Sequence, residues 1–233
     1  MTTRVTVSRA DWMKARKEFM EREKAFTRER DALSGARQAL PRWQLDKNYE
    51  FQSGRGVAGM SELFDGHSQL IVQHFMFGPE WEEGCPSCSF WADGYNGTIA
   101  HLKARDINMV AISNAPVQSL EAYKQRMGWT FPWYSSLGSS FNVDFAVSFT
   151  AEQLESDENN YNYGTQRFNG GEAPGLSVFE LDEQGAVFHT YSAYSRGLDM
   201  FNATYHYMDA VPKGRDEEGL PFSMAWLRRH DSY

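Results

Sequence analysis

Residues 69–90 read QLIVQHFMFGPEWEEGCPSCSF, and this stretch decides the fold. Gln69 to Phe77 is a run of β-favouring residues too apolar for an edge, which predicts a strand buried on both faces in the middle of a sheet. The turn-rich GPEWEEG leads into Cys85-Pro86-Ser87-Cys88, after which Trp91, Tyr95, Thr98, Ile99 and Leu102 recur at spacings of three and four, one face of a helix. A strand therefore gives way to a helix at a turn that carries two thiols. They are the only 2 cysteines among 233 residues, so no disulfide framework of the kind that props up small secreted domains can be built. Whatever chemistry the sulfurs have, they have together.

Downstream, Ile107 to Ile112 is a second apolar strand, Pro116 opens a helix through about Met127, and Phe131 to Tyr134 is a short third strand. This alternation implies parallel pairing through βαβ crossovers. Gly175 to Leu181 and Ala186 to Tyr191 flank Asp182-Glu183-Gln184-Gly185, a hairpin with glycine placed for a positive φ. Leu198, Phe201, Tyr205 and Met208 mark a final helix face. Asn142 to Phe149 suits either strand or helix, and residues 151–173 are polar without a sustained period, a surface loop long enough to cover something. Upstream, residues 41–66 carry Gly54, Gly56 and Gly59 between a strand near Tyr49 to Phe51 and a short segment at Leu63 and Phe64. The order of elements, with the CxxC where the first central strand meets its helix, resembles the thioredoxin topology. The expected class is α/β, a thioredoxin-like fold with a central mixed sheet flanked by helices and a long N-terminal helical arm.

The arm is read from Ser8 to about Gln38, where Trp12, Phe19, Phe26 and Leu33 recur every seven residues. Ser8 with Asp11 resembles a capping box with Asp in place of Glu, and Pro41 marks the far limit. So narrow a stripe suits a helix lying along a surface, that of its own body or of a second copy in a homodimer. The division expected is an arm over 1–40 and a thioredoxin-like domain over 41–233. Residues 1–38 hold 10 Lys and Arg against 6 Asp and Glu; the remainder holds 13 against 25, so a net charge of −8 divides into +4 and −12. An acidic body is a poor polyanion binder, which argues against nucleic acid as a partner. No apolar run approaches the ~20 residues of a bilayer span and the start lacks the apolar core of a secretory signal, so a soluble cytoplasmic protein without a membrane partner is expected.

At the first turn of a helix two intervening residues bring two sulfurs within bonding reach, and unpaired backbone N–H groups there favour a thiolate. Pro86 suits the first turn because it has no N–H to leave unpaired. Cys85 is therefore assigned as nucleophile and Cys88 as resolving thiol, in a cycle that takes a disulfide-containing protein or small thiol as substrate and needs a reducing partner. No cofactor is called for. Two thiols that merely pack are the bland alternative. Zinc would need four ligands and commonly a second close pair, which is lacking; of His67, His74, His101, His189, His206 and His230, two sit in strand patterns as core histidines do, although one could join the thiols on copper. A peroxiredoxin motif, P-x-x-x-[ST]-x-x-C, fails at both cysteines: Gly78 and Trp81 stand seven residues before them, Glu82 and Cys85 three before. That leaves a thiol peroxidase of unconventional kind.

The stretches DWMKARKEFMEREKAFTRERDAL, QLIVQHFMFGPEW, CPSCSFWADGYNG, PGLSVFELDEQGAVFHTYSAYSRGLDMFNATYHYMD and PKGRDE resemble, over nearly the whole chain, a bacterial thioredoxin-like family of unknown function (domain of unknown function 899) described as predicted dithiol-disulfide isomerases. The resemblance implies a fold and a presumed thiol–disulfide activity. It implies a cis-proline facing the CxxC, a role carried to Pro174, and draws attention to His189, Tyr191, Tyr194, Arg196, Gly197, Tyr205 and His206. Arg196 would stabilise a thiolate or bind an anionic substrate. The expected substrate-binding residues are Trp81, Pro86, Ser87, Pro174, His189, Tyr191 and Arg196. The alternative to an enzyme is a binding module that holds a metal, a small ligand or another chain in the same groove.

Overall fold

The computed structural model describes residues 4–156 and 160–233. Two compact units separate, residues up to Pro41 and residues from Arg42 onward. The first is dominated by α1 (Arg9–Gln38). The Ser8 hydroxyl accepts from the Asp11 N–H at 3.2 Å and donates to the Asp11 carboxylate at 2.6 Å, so Asp11 closes on the cap's side chain instead of its backbone. None of the helix is buried, and Trp12, Phe19, Phe26 and Leu33 are each half or more exposed. No described helix is long and apolar enough to cross a membrane.

The second unit is built on one eight-stranded sheet. β1 (Trp43–Gln44) is followed by the hairpin of β2 (Glu50–Ser53) and β3 (Gly56–Gly59), and a 3-10 turn over Met60–Phe64 leads into β4 (Gln69–His74). Next come α2 (Pro86–Ala92) and α3 (Tyr95–Lys103), β5 (Ile107–Ser113), α4 (Val117–Arg126) and β6 (Trp133–Ser135). Three short elements, α5 (Phe141–Asp144), α6 (Ala151–Glu155) and α7 (Tyr161–Gly164), precede the hairpin of β7 (Gly175–Leu181) and β8 (Val187–Tyr194). A 3-10 segment over Ser195–Phe201 and α8 (Ala203–Ala210) follow. The strand order is β1-β8-β7-β4-β5-β6-β2-β3. β4 runs parallel to β5 and antiparallel to β7, which pairs antiparallel with β8. A parallel βα-β pair joined to an antiparallel hairpin and a closing helix is the thioredoxin fold, and β4 lies at its centre because both its faces are apolar.

Those faces feed separate cores. Leu70 and Val72 point to one with Phe51, Phe64, Ile112 and Phe179, while Phe75 and Phe77 join Cys88, Tyr123, Trp129 and Trp133 on the other. The strand ends at His74, short of the expected Phe77; the Phe75 N–H still reaches the Ile112 carbonyl at 2.9 Å, and the chain then leaves the sheet. The helix expected through Trp91 and Leu102 is two helices, because Asp93 caps the first and Gly94 begins the second. The run over Leu198 to Met208 breaks likewise at Asn202, whose side chain accepts from the Tyr205 N–H at 3.1 Å. The polar stretch 151–173 is not wholly a loop. Thr150 and Gln153 form a capping box that starts α6, and in α7 Asn162 and Tyr163 adopt positive φ; residues 157–159 of that stretch lie outside the described residues. At the hairpin tip Gly185 has φ +84°, as its turn requires.

One buried carboxyl ties this stretch to the sheet. Glu172 accepts from the Ser148 hydroxyl at 2.7 Å and the Asn114 amide at 3.0 Å, and burial pushes its pKa above the usual carboxylate range. A raised folded-state pKa favours the protonated form, so the stability it contributes is full below the unfolded pKa and is lost as pH rises through the folded value. Glu172→Gln should therefore gain Tm relative to the wild type at pH 8 compared with pH 4, as read by thermal melts at both; a Tm difference between the two chains that does not change with pH would contradict this.

Candidate functional site

Cys85 is the N-cap of α2 and Pro86 its first residue, so the loop from Gly78 delivers one thiol just outside the helix and the next turn delivers the other. The two sulfurs are 4 Å apart. Both are free thiols, Cys85 partly exposed and Cys88 buried. The loop is held from beneath: the Cys85 N–H donates to the Met76 carbonyl at 3.0 Å, and the Met76 N–H donates to Cys88 Sγ at 3.4 Å. Gly84 is required by close approach, since a Cβ there would stand 2.7 Å from the Phe75 ring and 2.9 Å from the Tyr123 ring. Its carbonyl accepts from Arg229 at 2.8 Å, and the same guanidinium donates to the Tyr123 hydroxyl at 2.9 Å and pairs with Glu83 at 2.7 Å. A C-terminal residue thus fixes the backbone immediately before the first thiol.

The two thiols are driven apart electrostatically. The Cys85 pKa falls to about 6 chiefly because the Cys88 S–H donates to its sulfur, with the backbone N–H groups of Cys88 and Ser87 and the Ser87 hydroxyl adding to this against the opposing effect of burial. Cys88 is pushed up, first by burial and then by its donation to Cys85. Near neutral pH the pair is one thiolate and one thiol, with the negative charge on the more exposed sulfur. A nucleophile and a protonated neighbour within reach are what stepwise disulfide exchange requires.

The thiols open on a cavity of about 600 Å³. Of the residues expected from the sequence, Cys85, Cys88, Ser87, Pro174 and Arg196 line it. Others are placed elsewhere. Pro86 serves the helix start. Trp81 lies in a separate hollow with Gln118, Tyr123 and Arg126, because the 78–84 loop turns its indole back over Gly78. His189 faces the opposite core against Phe145 and Phe179, while Tyr191 packs behind the cavity wall on Leu176 and Leu198. His189 Nε2 meets the Ser192 hydroxyl, which meets that of Ser177, which meets His74 Nε2, each at 2.7 Å. Burial lowers the pKa of both histidines, that of His74 to about 3, so the chain is neutral.

Two implied roles need correction. The peptide before Pro174 is trans: the Ala173 N–H donates to the Val147 carbonyl at 2.8 Å and the Tyr161 hydroxyl donates to the Pro174 carbonyl at 2.7 Å, satisfying both flanks with the isomer that is also intrinsically favoured. Arg196 is 73% exposed at the cavity mouth and pairs with Asp199 at 2.8 Å, so hydrogen bonds, not this cation, hold the Cys85 charge. Tyr205, to which the resemblance drew attention, is on the lining as well, whereas sequence reasoning missed Gln73, Tyr95, Tyr161, Phe168 and Met224 there. The polar stretch read as a cover was the signal for Tyr161 and Phe168. Among the described residues no three His, Cys, Asp or Glu side chains gather as a metal centre.

A family model described as "Bacterial protein of unknown function (DUF899)" matches residues 1–233. No curated protein matches the sequence. Solved structures similar to it include a peroxidoxin, BcpB, from Mycobacterium tuberculosis, at 14% identity and TM-score 0.47 over 71% of this chain and 95% of that one. A peroxiredoxin Q from Xanthomonas campestris follows at 15% identity and TM-score 0.43, over 72% and 94%. The mitochondrial 2-Cys peroxiredoxin of Plasmodium falciparum has 15% identity and TM-score 0.39, also over 72% and 94%.

Proposed function

The chain belongs to a family of bacterial proteins of unknown function, DUF899, and from its site we propose that it is a thiol–disulfide oxidoreductase in which Cys85 attacks and Cys88 resolves. The observation that carries this is the pair itself: two sulfurs 4 Å apart whose pKa values are displaced in opposite directions, the lowered one reachable from a cavity. Cys85 thiolate forms a bond to one sulfur of a substrate disulfide and the other sulfur leaves as a thiolate. That thiolate takes the Cys88 proton. Cys88 then closes on Cys85, releasing the second substrate sulfur, which is protonated by solvent; two electrons pass to the substrate and the pair ends oxidised. A dithiol or small thiol restores it. Isomerase action is the same first step followed by release through the substrate's own thiol, with no net redox change.

The test is titration of the reduced protein with bis(2-hydroxyethyl) disulfide, counting thiols lost and mapping the product by peptide mass. Loss of both thiols into a Cys85–Cys88 bond is expected. Retention of both thiols would remove the proposal, and loss of them to an alkyl hydroperoxide but not to the disulfide would replace it with a thiol peroxidase.

A further inference from the structure

The cavity beside the thiols has the size of a small-molecule site, for which about 300–1,000 Å³ is usual, and its walls include Trp91, Tyr161, Phe168, Leu198, Tyr205 and Met224. The charged groups on its lining are already engaged: Arg196 pairs with Asp199, Asp199 with Arg215, and Arg167 donates to the Leu154 carbonyl. Three lining residues are different. Gln73, Tyr95 and His74 are 5%, 6% and 1% exposed, and the Gln73 Oε1, the Tyr95 hydroxyl and the His74 Nδ1 are without a hydrogen-bond partner; His74 already engages Ser177 through its Nε2, which leaves Gln73 and Tyr95 as the pair considered for a ligand. An unpaired polar atom at such depth carries a desolvation cost that a bound group can relieve. Gln73 Oε1 can only accept, and the Tyr95 hydroxyl has a proton to give. A neutral group that carries one donor and one acceptor, as a secondary amide does, has a partner for each. The amide nitrogen of Gln73 holds the Cys88 carbonyl at 3.3 Å, so a group bound at Gln73 lies next to the thiol pair.

We propose that the substrate is a small neutral disulfide with an apolar body and a secondary amide near its sulfurs, held in this cavity for attack by Cys85. This rests on the oxidoreductase reading above and narrows it from disulfides in general to one chemical class. The substrate disulfide is the oxidant: its S–S bond breaks, the Cys85–Cys88 bond forms, and two thiols leave the cavity.

Calorimetry on full-length Cys85→Ser separates binding from chemistry, using N,N′-dibutanoylcystamine, dihexyl disulfide, which lacks the amide, and oxidised glutathione, which is charged. Dibutanoylcystamine should bind tightest, with dihexyl disulfide about tenfold weaker and oxidised glutathione weaker by about a hundredfold. Adding Tyr95→Phe should weaken dibutanoylcystamine about tenfold and leave dihexyl disulfide unchanged. Met224→Trp, which fills the cavity from its partly exposed side, should weaken both. Equal binding of all three probes, a preference for oxidised glutathione, or indifference to both substitutions would overturn the assignment. The two proposals fail separately: selective binding with no thiol oxidation by any disulfide would defeat the redox reading alone, and oxidation by all three at equal rates without detectable binding would defeat the substrate class alone.

Discussion

Replacing Cys85 by serine should lower the rate of disulfide reduction by at least about 10³-fold, whereas Cys88→Ser should attack at close to the native rate and stop as a mixed disulfide on Cys85. The asymmetry comes from the site. Cys85 is the partly exposed sulfur whose charge is held by three kinds of donor, and a serine hydroxyl there keeps its proton near neutral pH. Cys88 is buried, held protonated, and needed only when the bond to substrate must be displaced. A serine at 88 can still donate to Cys85, so the first attack survives. Stopped-flow rates with mass analysis of the trapped adduct distinguish the two variants; equal rates in wild type and both variants would show that neither sulfur takes part.

The next largest effect is expected at Phe75, where Phe75→Ala should cost about 3–5 kcal/mol of stability. Its ring is 1% exposed and meets Trp133, Trp129 and Tyr123 at centroid distances of 4.6, 6.0 and 6.5 Å. None of these large rings can follow a truncation, because each is locked by further aromatic contacts, so a cavity would remain. The same ring supports Gly84 from below. Loss of that support frees the loop before Cys85, and the donors arranged around the thiolate lose their alignment. A fall in the urea midpoint should therefore accompany a rise in the pH at which Cys85 becomes reactive. A stability loss below about 1 kcal/mol would mean that the cluster refills the space.

The centre of the fold was legible because β4 and β5 are buried on both faces and so read as continuous apolar runs, and because Gly185 marks the hairpin turn. The break at Asp93 was not, since tertiary contacts fix it: Asp93 accepts from Trp129 at 2.9 Å and from His230 at 2.6 Å; the break at Asn202 is a local cap on the Tyr205 N–H that the apolar spacing of the run concealed. The thiol pair was legible from its spacing. Its surroundings were less so. On β8, period-two reasoning puts His189 and Tyr191 on one face, but Val178 pairs with Tyr191 and Phe179 with His189, leaving Thr190 as an extra residue in a bulge. The bulge sends the two side chains to opposite cores. Arg229 was invisible for another reason: it reaches Gly84 across 145 residues of sequence, from a segment without any apolar period.

The most direct measurement is the alkylation rate of Cys85 by iodoacetamide as a function of pH, followed by mass in the reduced full-length protein. A midpoint near 6 is expected, with Cys88 unreactive over the same range. A midpoint near 9, the ordinary thiol value, would mean that no thiolate is held at the cavity and would contradict the account.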